Sequence, residues 1–550
     1  MRKKRVLFVS EASYLSTGYA TYSRNALNHL LKTNKYDLAE LSVYGNENDP
    51  RRSSIPWKNY PNVPLPDDEK ANEAYKSHHI NQFGAWRFER ACLDFEPDIV
   101  LSIRDFWMDS FIYHSPFRRL FKLCWMPTVD GAPQNMEWVH QFGNADYVLT
   151  YSQWASKILK EQSGNGINLC GVASPAASSD FCPMSGPDSR DLLGLPRDAK
   201  IIGTVMRNQR RKLFPVLFES FAKYIHSHNL TDTYLYCHTS YPDGGWDLPE
   251  LLNKHNISNK VFFSYICSEC GNIESSLFND AQKVCSACQK YSSVPCNVGV
   301  GVSDSDLAKI YNSFDLYVQC ANCEGFGLPQ VEAAACGVPI ACTDYSAMED
   351  IIANLQAFPI KVKAFYKELE TGCERAVPCV DSIVNIFTDF FNMNGKQRSI
   401  LGMQTRSLYE THYNWEKTTK VWESVIDECE YSEWKQTPPV IKPMIEFDFN
   451  NMTNRDFIKS CVSHYLIDQS RLHSHEMRCL LRDLNNGFYK PTPDGFFGQD
   501  MSPFVMNRGH RVPISKADIV QNFQQKLQVS NIWESARIDR SKLRSESWLD

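Results

Sequence analysis

A glycine-rich turn between two glutamates has the composition of a binding site for an anion that also carries hydroxyl groups. Glu324 opens the run Glu-Gly-Phe-Gly-Leu-Pro, and Glu332 follows in a segment that reads as a short helix ending at Gly337. Gly325 and Gly327 allow a ligand to approach the main chain closely. The start of the helix offers unpaired N–H groups and the positive end of the helix dipole. Because both carboxylates can bond hydroxyls beside a bound phosphate, the pattern predicts a site for a sugar nucleotide.

This run resembles the motif of a known family. Glu324-Gly-Phe-Gly-Leu-Pro-x-x-Glu332, followed by Gly337-Val-Pro339, resembles the GT4-type retaining glycosyltransferases of the GT-B fold, over roughly residues 1 to 430. The resemblance implies transfer of a sugar from a nucleoside-diphosphate sugar to an acceptor hydroxyl, with retention of configuration and without a catalytic divalent metal. It also implies that the first glutamate and the amides after it hold the donor sugar, while the second holds the ribose. The donor-binding residues predicted here are Glu324, Gly325, Phe326, Gly327, Leu328 and Glu332.

Basic residues follow a predicted strand at the start of the second half of the chain. A departing diphosphate carries extra negative charge, which cations can stabilise when no metal is present. By resemblance, Arg207 and Lys212 bind the donor diphosphate, and we predict both as catalytic residues together with Glu324. Arg210 and Arg211 are interpreted as solvated residues of the same turn. The alternative is that the whole segment is a solvated basic turn.

Two positions in the first half of the chain complete the predicted site. Gly18 lies where the family brings a glycine-rich loop to the donor phosphate. The family usually has two glycines there, and this chain has one. The alternative interpretation is a plain strand-to-helix turn. Asp130 follows a predicted strand in a region where many relatives have a His or Asp near the reacting centre. We predict that Asp130 is catalytic and orients an acceptor or sugar hydroxyl. An Asp-Gly turn without a chemical role is the other interpretation.

Four cysteines form a second motif. Cys267-x-x-Cys270 and Cys285-x-x-Cys288 have the spacing of a zinc ribbon. Four thiolates close the coordination shell and leave no position for water, so the predicted zinc is structural rather than catalytic. The ribbon interrupts the second α/β unit, and we hypothesise that it shapes the cleft or grips a large acceptor.

Alternation of short apolar runs with amphipathic stretches indicates mostly parallel sheets. The predicted elements include a strand over Thr233–His238, a helix capped by Ser303, and C-terminal helices over 456–467 and 474–484. The predicted fold is α/β of the GT-B type: two doubly wound domains facing a cleft, with a zinc-ribbon insertion and a mostly helical C-terminal extension. The candidate residues follow strands, where open α/β sheets bind ligands. Residues 46–80 are predicted to form a long loop or an insertion. The predicted units are an acceptor-side domain (1–195), a nucleotide-sugar-binding domain (196–414), the ribbon (264–300), a crossover helix back to the first domain (415–434) and an accessory helical module (435–550).

Composition limits the function classes. The 550 residues are 43% hydrophobic and 22% charged, as in globular proteins, and no apolar run reaches the about 18 residues that span a bilayer. Many of the 19 cysteines lie inside apolar segments, which favours a reducing, cytoplasmic location. The net charge of −6 argues against a general nucleic-acid binder.

The acceptor is left open among glycan, lipid, protein and modified DNA. Two alternatives remain: a phage-type glycosyltransferase acting on modified bases in DNA, and a non-catalytic module that binds sugar nucleotides or glycans.

Overall fold

The computed structural model describes most of the chain. It covers residues 2–434 apart from 116, 185–187, 279–281 and 298–300, and beyond them residues 451–465, 481–489, 512–517 and 519–520. Two sheets, one in each half of residues 2–434, dominate the architecture; the first is parallel and the second is mostly parallel. The predicted α/β class is confirmed.

The first sheet has seven strands, and every neighbouring pair is parallel. Its strands are β1 (Lys4–Glu11), β2 (Tyr36–Asn46), β3 (Lys58–Val63), β4 (Ile99–Ser102), β5 (Lys122–Trp125), β6 (Tyr147–Thr150) and β7 (Leu169–Val172). Their spatial order is β3-β2-β1-β4-β5-β6-β7. After β1 the chain adds β2 and β3 on one side of that strand. It then crosses over and adds β4 to β7 on the other side, which makes the sheet doubly wound. The carboxyl ends of β1 and β4 are therefore adjacent.

Six helices accompany this sheet: α1 (Gly18–Thr33), α2 (Glu69–Lys76), α3 (Ala85–Phe95), α4 (Phe106–His114), α5 (Met136–Phe142) and α6 (Gln153–Ser163). Strand β3 and helix α2 lie within residues 46–80, so the prediction of a long loop there was wrong. Strand β3 contains Pro61 and stands at the edge of the sheet, where a residue without an N–H group is tolerated.

The second half contributes eleven strands: β8 (Lys200–Val205), β9 (Thr233–His238), β10 (Val261–Cys267), β11 (Ile273–Leu277), β12 (Lys283–Val284), β13 (Tyr291–Pro295), β14 (Leu316–Gln319), β15 (Ile340–Thr343), β16 (Phe358–Ile360), β17 (Val362–Lys367) and β18 (Glu374–Pro378). The order β10-β9-β8-β14-β15-β16 is parallel throughout. Strands β11 and β13 join β10 antiparallel, and β17 and β18 form a separate hairpin.

Nine further helices precede residue 434: α7 (Ser189–Leu193), α8 (Phe214–Ser227), α9 (Leu248–Lys254), α10 (Asp304–Asn312), α11 (Leu328–Ala335), α12 (Met348–Leu355), α13 (Val380–Asn392), α14 (Gly395–His412) and α15 (Trp415–Glu428). Close packing fixes β8, the strand that leads to Arg207. A Cβ at Gly203 would come within 2.1 Å of the Phe314 ring, so only glycine lets that ring lie on the strand.

Helix α15 lies against the first sheet's own helix α1. The Trp422 indole N–H donates to the Tyr22 hydroxyl at 2.9 Å, and the Lys4 ammonium donates to the Ile426 carbonyl at 2.8 Å. The chain after α15 is also fixed there: the Trp434 indole N–H donates to the Pro97 carbonyl at 2.8 Å. Pro97 precedes β4, so this contact lies at the amino edge of the first sheet.

Beyond residue 434 the described parts are helix α16 (Asn454–Tyr465), a helical stretch over 481–486, and the short strands β19 (Phe488–Tyr489) and β20 (Val512–Pro513). The helix predicted over 456–467 overlaps α16. Most of the second helix predicted there, over 474–484, and most of the accessory module lie outside the described residues. Each helix found in the described residues is too short or too polar to cross a membrane.

Candidate active site

The loop between β14 and α11 places the first glutamate at the carboxyl edge of the second sheet. Gly327 has φ +101°, a conformation that favours glycine, and it directly precedes the first residue of α11, Leu328. Pro329 occupies the first turn of that helix, where an N–H group would lack a partner. The turn therefore aims the amino end of α11 and the Glu324 side chain toward the same edge of the sheet.

Glu324 is buried among cations. Its side chain is 7% exposed, and it accepts hydrogen bonds from the Lys212 ammonium, from the Gln319 amide, and from the Arg211 guanidinium at 2.9 Å. Burial alone would raise the pKa of this carboxyl, but the charges of Arg211 and Lys212 outweigh it and lower the pKa to about 2. Glu324 is therefore ionised and locked in place. Arg211, which was interpreted as a solvated residue, is still 40% exposed but also pairs with Glu324, whereas Arg210 is exposed.

Lys212 reaches this cluster from a short 3-10 turn, Arg210–Lys212, which follows β8. Its side chain is 7% exposed, and Leu213, the next residue, has φ +46°. This bend lets the lysine point inward while helix α8 begins immediately after it. Burial and the neighbouring charge of Arg211 lower the pKa of Lys212 to about 8.

Arg207 occupies a different place from Lys212. Its guanidinium forms a two-pronged pair with Asp243, with N···O distances of 2.7 and 3.0 Å, and its side chain is 53% exposed. The hydrogen bonds to Asp243 raise the pKa of Arg207, and Glu11 of β1 also contributes to that increase. The loop after β9 therefore holds Arg207 at the mouth of the site. No direct contact joins it to Glu324 among the described residues.

Glu332 lies inside α11 and is 7% exposed. The Tyr311 hydroxyl of α10 donates to its carboxylate at 2.8 Å. Burial raises the pKa of Glu332 to about 7, because the hydrogen bond from Tyr311 only partly replaces lost hydration. The two glutamates thus lie in opposite electrostatic environments.

The remaining residues predicted to bind the donor lie in both halves of the chain, with Phe326 and Leu328 at the start of α11 and Gly18 at the start of α1. Phe326 is buried and packs edge-on against Tyr413 with ring centroids 5.7 Å apart, whereas Leu328 is half-buried. Gly18 is the first residue of α1, and Thr17 caps that helix by accepting from the Ala20 amide at 3.2 Å. A Cβ at Gly18 would meet nothing within 4 Å, so the space above this helix start is open to a ligand.

Asp130 links the two halves of the molecule. The Arg375 guanidinium, from β18, donates to its Oδ1 at 2.8 Å, and the Cys323 thiol lies 3.4 Å from its Oδ2. Arg375 is 5% exposed and also pairs with Glu368 at 2.6 Å. The carboxylate of Asp130 is therefore engaged in an ion pair between the first half of the chain and the hairpin of β17 and β18. Its predicted catalytic role stays a prediction.

Asp105, which the sequence analysis did not single out, lies beside Asp130. It follows β4 at the carboxyl edge of the first sheet and accepts from the Tyr19 hydroxyl at 3.1 Å. That hydroxyl also lies 2.7 Å from the Thr128 hydroxyl. Burial, and then the charge of Asp130, raise the pKa of Asp105 to about 6. An acidic residue two positions after a strand predicted over Asp98–Ile103 was the available signal.

The four ribbon cysteines come together at the end of β10. Their Sγ atoms all lie within 4.8 Å of one another; Cys267 is 3.6 Å from Cys288, and Cys270 is 3.7 Å from Cys285. Tetrahedral zinc with Zn–S bonds of about 2.3 Å separates its sulfurs by about 3.8 Å, so this donor set fits zinc. The spacing is too long for disulfides, whose S–S bonds are about 2 Å.

Comparison with known proteins identifies the domain type around Glu324 and Glu332. Residues 282–371 match the family described as "Glycosyl transferases group 1". A curated relative, the O-antigen chain mannosyltransferase B of Escherichia coli, is 38% identical over 65 residues, which are 12% of this chain and 17% of the relative. The chain thus aligns with about a sixth of that relative's length.

Solved structures resemble a much larger part of the chain. A sucrose-phosphate synthase from Thermosynechococcus elongatus has a TM-score of 0.54 at 15% identity, covering 78% of this chain and 99% of the other. Anabaena Alr3699/HepE, solved in complex with UDP and glucose, has a TM-score of 0.53 at 12% identity, covering 77% and 99%. At these identities the likeness concerns the fold, and it confirms the predicted GT-B architecture.

Proposed function

We propose that this chain is a glycosyltransferase that moves a sugar from a nucleoside-diphosphate sugar to an acceptor hydroxyl, with retention of configuration. The observation that carries this proposal is the buried contact of Lys212 with Glu324 at the amino end of α11. The segment that matches the glycosyl transferases group 1 family contains both Glu324 and Glu332. Retention is proposed on the family resemblance, and the anomeric configuration of the product decides it.

The proposed chemistry uses fixed charges. As the bond between the sugar and the diphosphate breaks, negative charge grows on the diphosphate. Lys212, Arg211 and Arg207 supply cations there, and the amino end of α11 supplies N–H groups. Glu324 holds Lys212 and Arg211 in position before the donor arrives, and it accepts hydrogen bonds from the donor sugar afterwards. This preorganisation matters because charges that need no rearrangement stabilise a transition state best.

The positions of the other predicted donor-binding residues suggest which part of the donor each one contacts. Glu332 takes the ribose, with Tyr311 fixing its carboxylate. The backbone from Gly325 to Leu328 surrounds the sugar, and Gly18 leaves room for the leaving phosphate. In this assignment residues 196–414 bind the donor, residues 1–195 present the acceptor, and the crossover helix over 415–434 returns to the first unit.

On the acceptor side we propose Asp105 as the carboxylate that receives or orients the acceptor proton, with Asp130 holding the two halves together. A general base works best when its pKa lies near the operating pH, and the pKa of Asp105 is raised to about 6. Asp130 is instead occupied by Arg375 at 2.8 Å. This division replaces the assignment of the acceptor role to Asp130 alone.

We further propose that Cys267, Cys270, Cys285 and Cys288 bind one structural zinc ion. Two sulfur pairs 3.6 and 3.7 Å apart support a tetrahedral site. Bound zinc would stabilise the fold of residues 264–300, because the ligands are brought together only in the folded state.

The decisive experiment is a transfer assay with matched variants. Purified protein is screened by thermal shift against UDP-, GDP- and ADP-sugars, beginning with UDP-glucose because Anabaena Alr3699/HepE was solved with UDP and glucose. A ligand at 100 times its Kd stabilises the folded state by about 2.7 kcal/mol. The donor that binds is then tested for nucleoside-diphosphate release and for sugar transfer.

Glu324→Gln should abolish turnover, whereas Glu410→Gln should not. Glu410 forms an exposed pair with Arg406 on α14 and lies outside the proposed site, so it is the matched control. Binding without any release or transfer would favour the non-catalytic module. Absence of binding to every sugar nucleotide would overturn the proposal.

A further inference from the structure

The zinc-ribbon strands continue the donor-side sheet without a linker. Residues 261–263 of β10 pair in parallel with β9, and residues 265–267 of the same strand pair antiparallel with β13. The strand ends at Cys267, the first ribbon cysteine. Any displacement of the cysteine cluster is therefore transmitted to β10, the outer strand of the parallel part of the donor-side sheet, because this one continuous strand belongs to both units.

An aromatic contact connects the ribbon to the loop that follows β9. Phe278, which comes directly after β11, packs edge-on against Phe263 of β10, with centroids 5.1 Å apart. The same ring packs edge-on against Tyr241, with centroids 5.5 Å apart. Phe278 thus spans from the ribbon strands to the loop that carries Asp243.

Polar contacts reinforce the same connection. The Ser275 hydroxyl of β11 donates to the Tyr236 hydroxyl at 3.2 Å, and Tyr236 contacts the Ser264 hydroxyl at 2.9 Å. Ser264 in turn lies 2.9 Å from Nδ1 of His238, the last residue of β9. This buried chain fixes the point at which the loop after β9 departs.

That loop controls the direction of Arg207. Asp243 lies two residues after Tyr241 and binds the Arg207 guanidinium through both oxygens, at 2.7 and 3.0 Å. The backbone of the loop is pressed against the residue after Arg207: a Cβ at Gly245 would come within 2.4 Å of the Asn208 side chain. Because Arg207 is itself 53% exposed, these contacts supply much of what holds it in one orientation.

We propose that the zinc ribbon is a positioning element for the donor diphosphate, acting through Phe278, Tyr241 and Asp243 on Arg207. This inference rests on the proposed function. Phe278 is a positioning residue, since it touches the loop and not the ligand. The metal would then affect more than stability. Its loss would release Phe278 from its position, and the loop that carries Asp243 would no longer hold Arg207 in one orientation.

The test without substrate is hydrogen exchange at residues 240–247. Phe278→Ala and chelation of zinc should both speed exchange there. Tyr291→Ala removes another aromatic ring of the ribbon, one that is 63% exposed, and should leave exchange unchanged. Phe278→Leu, which keeps an apolar side chain at the position, should restore most of the protection. Unchanged exchange in Phe278→Ala would overturn the proposal, whether or not the protein transfers sugar.

The test with substrate is a double-mutant cycle. Phe278→Ala should lower kcat/KM for the donor about tenfold, with part of the loss in kcat because Arg207 acts on charge that grows as the donor bond breaks; tenfold is the size of one misplaced charge-assisted hydrogen bond. In an Arg207→Ala background, the same substitution should change kcat/KM by less than about twofold, because the residue it positions is gone. An equal effect in both backgrounds would overturn the proposal. If wild-type protein uses no sugar nucleotide, the proposed function fails. The exchange experiment still decides whether Phe278 and the ribbon hold the loop over residues 240–247 in place.

Discussion

Gly325, in the second half of the chain, lies directly against Thr128, in the first half. A Cβ added at Gly325 would come within 2.4 Å of the Thr128 Cγ2 atom, far inside van der Waals contact. Thr128 also lies 2.7 Å from the Tyr19 hydroxyl, which donates to Asp105. The residue after Glu324 is therefore in contact with a group that supports the Asp105 carboxylate, so the proposed donor and acceptor elements share one boundary.

Gly325→Ala should separate these two elements. We expect transfer to fall at least about tenfold and stability to fall by about 1–3 kcal/mol, the range for overpacked sites. Thr128→Ser, which removes the clashing methyl group, should have a small effect alone and should recover much of both losses in the double variant. Activity and thermal unfolding of the four proteins measure this. A double variant no better than Gly325→Ala would refute steric contact as the cause.

Glu324→Gln should be strongly destabilising. Removing one charge from a buried pair leaves Lys212 without its counter-charge, which costs about 3–5 kcal/mol. The control Glu410→Gln, on an exposed pair, should change the free energy of unfolding by less than about 0.5 kcal/mol. Denaturant unfolding at pH 7 compares the three proteins.

The destabilisation should also depend on pH. The pKa of Glu324 is about 2 in the folded protein, below its model-compound value of 4.5. The contribution of its charge is thus complete above pH 4.5 and is lost as the pH falls toward 2. The stability difference between wild type and Glu324→Gln should therefore shrink over that interval. A constant difference would contradict the assigned ionisation.

Protonation of Asp105 should make kcat/KM of the transfer reaction fall at low pH. With a pKa near 6 and a role as proton acceptor, its ionised form is required, so kcat/KM should rise with pH and level off above about pH 7. Asp105→Asn should remove this inflection along with most activity. Asp130→Asn should move it to lower pH, because the charge of Asp130 helps to raise the pKa of Asp105. An inflection near 6 that survives in Asp105→Asn would assign it to another group.

Zinc should be present at about one ion per chain and should matter for stability. Paired substitution of Cys270 and Cys285 by serine should abolish zinc binding, measured by elemental mass spectrometry, and should lower the Tm. Cys182→Ser is the matched control, since Cys182 is an exposed cysteine outside the ribbon. Purified protein without zinc but with an unaltered Tm would contradict a structural metal.

Much of the fold follows from the sequence because buried parallel strands carry continuous apolar runs. Strand β9 was predicted over the same residues that the structure gives it, Thr233–His238, and α10 begins after its predicted cap, Ser303. The hairpin of β17 and β18 was missed. All residues of β17 after Val362 are exposed, so its sequence lacks the apolar pattern on which such predictions depend.

The sequence motifs of the candidate site could be predicted, but the contacts between its side chains were harder to predict. Glycine spacing and acidic residues located Glu324 and Glu332, since the turn demands glycine and carboxylates can bond the hydroxyls of the predicted ligand. Which arginine pairs with Glu324 depends on how the 3-10 turn over Arg210–Lys212 packs against the loop after β14, a tertiary detail with no local signal. Asp105 was missed for a related reason. Its raised pKa arises from burial and from Asp130, which only the fold brings close.

The anchoring of Trp434 beside Pro97 has a practical consequence. Parallel strands begin at that edge of the first sheet, whereas the proposed chemistry lies where they end. A tag, surface tether or fluorescent label introduced directly after position 434 would depart from the far side of the molecule. Catalysis could then be followed on immobilised protein with the entrance for sugar and acceptor facing the solution.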